Sequence, residues 1–167
     1  MRKIIVTGSP GAGKSTFARK LRDKTGLPLH YLDMIWHKAD KTHISREEFD
    51  GILEKILATD GWIIDGHYSR TLERRIAACD TVFLLDFPLD VCIDGIRERK
   101  GKKRGDMPWT EEKEDMDFIR YVEDFQTAKL PEIYRLLNEY ESRVKIYVFR
   151  SRAEADVFLS EGFYGER

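Results

Sequence analysis

The sequence predicts an α/β protein: one five-stranded parallel sheet flanked by helices. Two observations carry this. Short apolar runs alternate along the chain with longer segments of helical periodicity, and a glycine-rich phosphate-binding pattern follows the first run directly. Strands separated by helices must be joined by crossovers, so the sheet is parallel and covered on both faces.

Taken in order, strands are expected over residues 2–7, 28–32, 62–65, 81–86 and 144–149, each a short run rich in Ile, Val, Leu or Phe. Helices are expected near 14–25, 45–59, 70–78, 89–100, 113–140 and 151–160. Ser45 with Glu48, and Ser151 with Glu154, have the spacing of a capping box and mark two helix starts. In the long region, Met116, Ile119, Val122 and Phe125, then Ile133, Leu136, Leu137 and Tyr140, recur every three or four residues. Pro131 is expected to split this region in two, because proline lacks the N–H that an inner turn needs.

A chain of 167 residues, 41% hydrophobic, fits one domain over 1–167 with a real core. Its 29 Lys and Arg against 30 Asp and Glu leave no global charge that calls for a nucleic acid or an acidic membrane, so any basic site is local. Cys79 and Cys92 lack metal-ligand spacing and read as free, buried thiols. The apolar stretch Ile4-Ile5-Val6 is too short for a signal peptide or a membrane span, so a cytoplasmic protein is expected.

Residues 8–15, Gly8-Ser9-Pro10-Gly11-Ala12-Gly13-Lys14-Ser15, read G-x-x-x-x-G-K-S and are followed by Thr16. A triphosphate needs many donors at short range, and glycines let successive N–H groups turn toward it. Lys14 can reach the β and γ phosphates, Ser15 can hold Mg²⁺, and the helix opening at Lys14 adds its positive end. ATP and Mg²⁺ are therefore the expected donor and metal.

Ligands of an open parallel sheet bind beyond the carboxyl ends of its strands, which directs attention to Asp33, Asp65-Gly66 and Asp86. Asp33 suits an acceptor hydroxyl or a hydrated Mg²⁺, and equally a helix cap or an exposed turn. Trp36 and His37 behind it fit either a substrate wall or the core. Asp65 suits hydrated Mg²⁺, Gly66 lets a substrate approach the backbone, and Arg70 can grip a phosphate or carboxylate with two hydrogen bonds. Asp86 competes with Asp65 for the metal, and Asp65 is preferred. The run from Arg97 to Gly105 concentrates cations, Arg99 and Arg104 among them, between glycines. It reads as a lid over phosphates, as a nucleic-acid contact, or as a solvated charge run.

These motifs together resemble the adenylate-kinase-like P-loop phosphotransferases. Within them the chain looks most like the bacterial DNA topology modulation protein group, through Ile64-Asp65-Gly66-His67-Tyr68-Ser69, Leu85-Asp86-Phe87-Pro88, Arg104-Gly105-Asp106-Met107 and Val148-Phe149-Arg150-Ser151-Arg152. The resemblance implies strand order 2-3-1-4-5, a P-loop NTPase and nucleoside-monophosphate-kinase-like core, an acceptor segment about 33–70 and a lid about 97–112. In the nucleoside monophosphate kinases the third strand ends in Asp-Gly-Phe-Pro-Arg. Here His67-Tyr68-Ser69 replaces Phe-Pro, and Arg70 falls one place later. Those kinases also tend to carry two arginines four apart at the lid entrance, and this chain has Gly95 and Arg99 there.

The expected function is thus an ATP-dependent kinase of a small molecule or nucleotide. Lys14, Arg99 and Arg104 stabilise the transferred group, Ser15 and Asp65 hold Mg²⁺, Asp33 orients the acceptor, and Asp65, Gly66 and Arg70 line its site. The alternative is an ATP-binding regulator that acts on DNA topology or a protein partner with only slow hydrolysis. No zinc site, winged helix or other DNA-reading module is visible in the sequence.

Overall fold

In the computed structural model, which describes residues 1–113 and 115–161, five strands pair in parallel in the order β2-β3-β1-β4-β5. They are β1 (Lys3–Gly8), β2 (Leu29–Tyr31), β3 (Trp62–Asp65), β4 (Thr81–Leu85) and β5 (Lys145–Phe149). This is the order that the resemblance implied, and every expected strand is present within a residue or two of its expected ends.

Alternation along the central strands sorts their side chains to two cores. Ile5, Trp62, Ile64, Val82 and Leu84 pack on one face, while Ile4, Val6, Ile63, Phe83 and Leu85 pack on the other. The register places Ile5 beside both Ile64 and Val82, so each face is continuous across the sheet. Helices α1 (Lys14–Thr25) and α8 (Arg152–Glu161) supply Phe17, Leu21 and Leu159 to one core. Helices α3 (Arg46–Leu57), α4 (Ser69–Ala78) and α7 (Leu130–Tyr140) supply Leu53, Leu72 and Ile133 to the other.

The expected helix starts are capped: Ser45 Oγ accepts from the Glu48 N–H at 3.0 Å, and Ser151 Oγ from the Glu154 N–H at 3.2 Å. One helix went unread, α2 (Leu32–Trp36), because five residues leave no periodicity to detect. The long region is broken, but more gently than a split. After α5 (Leu89–Arg99) and an irregular segment comes α6 (Met116–Asp124), then a single π turn over Phe125–Lys129, and α7 follows directly. The Leu130 N–H bonds Phe125 O, and Pro131 falls in the first turn of α7, where its missing N–H costs little. Cys79 and Cys92 are free thiols, the second of them buried.

One close approach fixes the site's position. A Cβ at Gly95 in α5 would lie 2.1 Å from the Gly11 carbonyl oxygen, and a Cβ at Gly11 would lie 1.9 Å from Cys92 O. Backbone rests on backbone between α5 and the 8–15 loop. An arginine cannot occupy position 95 while the loop lies there, which accounts for the departure from the two-arginine pattern. Gly95→Ala is accordingly expected to cost about 1–3 kcal/mol, the usual penalty of overpacking, and to weaken nucleotide binding by displacing the loop. Thermal denaturation with and without ATP checks both effects.

Candidate functional site

Beyond the carboxyl ends of the strands lies a cleft of about 2200 Å³, lined by residues of the 8–16 loop, the 65–69 turn and the 95–113 segment. Gly11 and Gly13 adopt φ of 81° and 89°, the left-handed region that glycine reaches without strain. Gly13 caps α1 with no side-chain partner, and the first turn carries no acidic residue. The open N–H groups and the positive end of α1 therefore converge on a site suited to an anion. Lys14 bends back over the loop, and its Nζ donates to Ser9 O at 2.9 Å. Burial lowers its pKa, against the opposing pull of Asp65 and Asp33.

Next to Lys14, the Ser15 hydroxyl stands 2.6 Å from Asp65 Oδ2 and 2.8 Å from Asp106 Oδ2. A hydroxyl has one proton, so it can donate to only one of them at a time. Asp65 Oδ1, also buried, has no hydrogen-bond partner among the described residues. Burial is the main cause that lifts the Asp65 carboxyl to about 6; Lys14 and Ser15 oppose the rise, and Asp33 and Asp106 add to it. Burial also pushes Asp106 upward, yet its hydrogen bond and charge contact with Arg104 win and hold it below the ordinary carboxylate value. A hydroxyl and two carboxylates with an orphaned oxygen fit Mg²⁺, which takes one or two carboxylates and fills its remaining positions with water and phosphate.

The turn after β3 is held from beneath by a residue that sequence reasoning missed. Arg75 of α4 is completely buried and donates to the carbonyls of Gly66, His67 and Tyr68 and to Thr71 Oγ1. Burial lowers its pKa to about 9, which leaves it charged at neutral pH. Tyr68, at φ 39°, starts α4 in a conformation that non-glycine residues rarely adopt, and the Arg75 contacts brace it there. Its hydroxyl donates to Asp33 Oδ1 at 2.8 Å, linking the turn to α2 across the cleft. The His67 ring sits between Thr7 Oγ1 at 3.4 Å and Ser69 Oγ at 2.8 Å.

Arg70 is not brought to the cleft. At the second residue of α4, its guanidinium faces α3 instead, and it makes two hydrogen bonds to Asp50, at 2.9 and 2.7 Å, on the exposed surface. Asp86 also lies elsewhere: it accepts from Tyr134 at 2.6 Å and pairs with Arg150. Asp33, Asp65, Gly66, Arg99 and Arg104 line the cleft with Lys14 and Ser15. His37 lines it too, 4.9 Å from the Trp109 ring and edge-on to it, whereas Trp36 stacks on His43 and packs against Phe49.

In the 97–113 segment Arg99 and Arg104 turn toward acids of the same segment. Arg99 Nε stands 3.0 Å from Glu111 Oε2, outside hydrogen-bond alignment, with its guanidinium over the Phe118 ring; Arg104 pairs with Asp106 and with Glu111. The Gly101 N–H closes the segment on Glu111 O at 2.8 Å. In the sequence Asp106 stands only within the Arg104-Gly105-Asp106-Met107 motif, with no site role, and nothing in its spacing points across the cleft to Ser15. No described helix is long and apolar enough to cross a membrane.

Comparison with known proteins agrees with this geometry. A family profile described as AAA domain matches residues 4–120. A protein named "Putative adenylate kinase" from Thermoplasma volcanium is 31% identical over 174 residues, covering 91% of this chain and 98% of its own length. One of the same name from Pyrococcus furiosus is 27% identical over 160 residues, covering 85% of this chain and 86% of its own length. An adenylate kinase from Thermotoga neapolitana is 26% identical over 110 residues, which is 62% of this chain and 49% of its own.

The buried His67 makes a pH prediction. Burial first, then the charges of Lys14, Arg75 and Lys129, lower its pKa from 6.5 to about 3. The unfolded chain takes up a proton near pH 6.5 that the folded ring refuses, so stability present above that pH is lost as pH falls toward 3. Asp65 acts with the opposite sign: the folded carboxyl keeps its proton up to about pH 6, so its contribution is lost as pH rises. His67→Asn should therefore show a shallower fall in melting temperature on acidification below pH 6.5 than the parent does.

Proposed function

The chain belongs to the AAA-domain family of P-loop NTPases, and on that premise we propose that it is an ATP-dependent phosphotransferase acting on a small molecule or nucleotide. One observation carries the reading. Lys14, Ser15, Asp65 and Asp106 converge on one spot, and Asp33 faces them across the same cleft. The adenylate kinase names of the relatives support a nucleotide-kinase-like activity.

In this reading Gly8, Ser9, Pro10, Gly11, Ala12, Gly13, Lys14, Ser15 and Thr16 form the ATP phosphate site, inside a single kinase-like unit over 1–167. Lys14 leaves Ser9 O and turns to the phosphates, where its charge stabilises the transferred group. Ser15 and Asp65, with Asp106 as a third member, would hold Mg²⁺ directly or through water. Bound there, the metal supplies charge neutralisation at the phosphate oxygens. Asp33 orients the acceptor from the 33–70 segment, Gly66 leaves room for it, and Arg75 fixes the turn that carries Gly66. Arg99 and Arg104 of the 97–112 segment exchange Glu111 and Asp106 for phosphate oxygens, so that the segment closes as a lid and excludes water. The inward pairing of both arginines favours this over a nucleic-acid contact. Arg70, paired with Asp50, has no part in the site.

Lys14→Ala is the direct test: phosphoryl transfer should disappear while the thermal unfolding of the ligand-free protein stays close to the parent's. Unchanged turnover would sink the assignment. The double variant Arg99→Ala with Arg104→Ala should slow single-turnover transfer by about a hundredfold or more and change ATP affinity less, since a clamp of this kind acts on the transition state. Intact transfer with a lost, salt-sensitive DNA affinity would instead favour a DNA-acting regulator.

A further inference from the structure

We infer that the group phosphorylated is an uncharged alcohol hydroxyl on a small ring-bearing molecule, and not the phosphate of a nucleoside monophosphate. This rests on the phosphotransferase reading above and narrows its acceptor.

The first observation is the carboxylate at the centre of the cleft. Asp33 lines it, accepts a single hydrogen bond from Tyr68 at 2.8 Å, and lies within Coulombic reach of Lys14 and Asp65 on one side and of Arg99 and Arg104 on the other. An acceptor that enters this cleft meets Asp33 among these groups. A phosphate dianion there would meet Asp33 as a like charge, whereas a hydroxyl would find a hydrogen-bond acceptor.

The second observation is that the guanidinium groups of α4, and those within Coulombic reach of Asp33, are already taken. Arg70 is bonded twice to Asp50, Arg75 is spent on three carbonyls, and Arg99 and Arg104 face Glu111 and Asp106. If the last two are released, they go to the donor's phosphates. Several lysines also line the cleft, Lys41, Lys102 and Lys129 among them, but ammonium groups offer point charges and not the two-pronged grip that fixes a phosphate's orientation. The third observation is the wall. His37 and Trp109 meet edge to face at 4.9 Å, and Tyr68 and Tyr121 line the same cleft, giving flat ring surface against which a sugar or a base can lie.

The step balances simply. The acceptor oxygen bonds to the γ phosphorus as the bond from that phosphorus to the β,γ-bridging oxygen breaks, and the hydroxyl proton passes to Asp33. ADP and a phosphate monoester result.

The test measures label transfer from γ-labelled ATP with Mg²⁺ to adenosine, thymidine, glucose and ribose, and in parallel to AMP and TMP. ATP binding is measured separately by calorimetry. Transfer to at least one alcohol at a kcat/KM a hundredfold or more above that for either monophosphate is expected. Asp33→Asn should lower kcat by about 10²–10⁴-fold and leave ATP affinity in place. Preference for nucleosides or for the sugars then tells which ring the aromatic wall holds. Faster transfer to AMP or TMP, or ATP binding with no transfer to any alcohol, would overturn the inference and leave the P-loop assignment standing. Failure to bind ATP at all would remove the phosphotransferase reading and the acceptor with it.

Discussion

A single hydroxyl between two carboxylates organises the site. Ser15 Oγ lies within hydrogen-bond distance of Asp65 at the end of β3 and of Asp106 in the segment after α5, so three distant parts of the chain meet at one atom. The negative charge of the two carboxylates is met by Lys14 beside Asp65 and by Arg104 beside Asp106. Those are the same cations that a triphosphate would claim. In the proposed function these internal ion pairs are exchanged for ligand contacts, with little new charge buried at the moment of binding.

The loop that presents Ser15 depends in turn on two glycines far apart in sequence. Gly11 and Gly95 let the P-loop and α5 touch through their backbones, which places Arg99, one turn further along α5, at the cleft. The same contact excludes a first lid arginine. Opposite, Arg75 stabilises the 66–68 turn from within the core, so the residues facing the cleft there are free to contact a ligand. A buried arginine without a carboxylate partner is costly, and its use as a strut is consistent with a turn whose Tyr68 backbone is strained.

Much of this was legible in the sequence because it is local. The five strands follow from apolar runs, the phosphate loop from eight consecutive residues, and Asp65 from its place at the end of β3. Asp86, the rival carboxylate, is tied to Tyr134 and Arg150. What escaped depends on packing between distant elements. Arg70 and Arg75 share one helix, and only the fold decides that the first faces Asp50 and the second the turn. Gly95 looked like a missing arginine until α5 was laid against the loop. Asp106 has no site role in the sequence reading, and the π turn before Pro131 has the same apolar spacing as an unbroken helix.

The account rests on Asp106 sharing the Ser15 site with Asp65. Calorimetric titration of ADP at increasing Mg²⁺ concentration, on the parent protein and on Asp65→Asn, Asp106→Asn and Asp86→Asn, tests that claim most directly. Asp106→Asn should raise the Mg²⁺ concentration needed for tight binding in the manner of Asp65→Asn, while Asp86→Asn stays near the parent. A Mg²⁺ requirement unchanged in Asp106→Asn, or shifted more in Asp86→Asn than in Asp65→Asn, would contradict it.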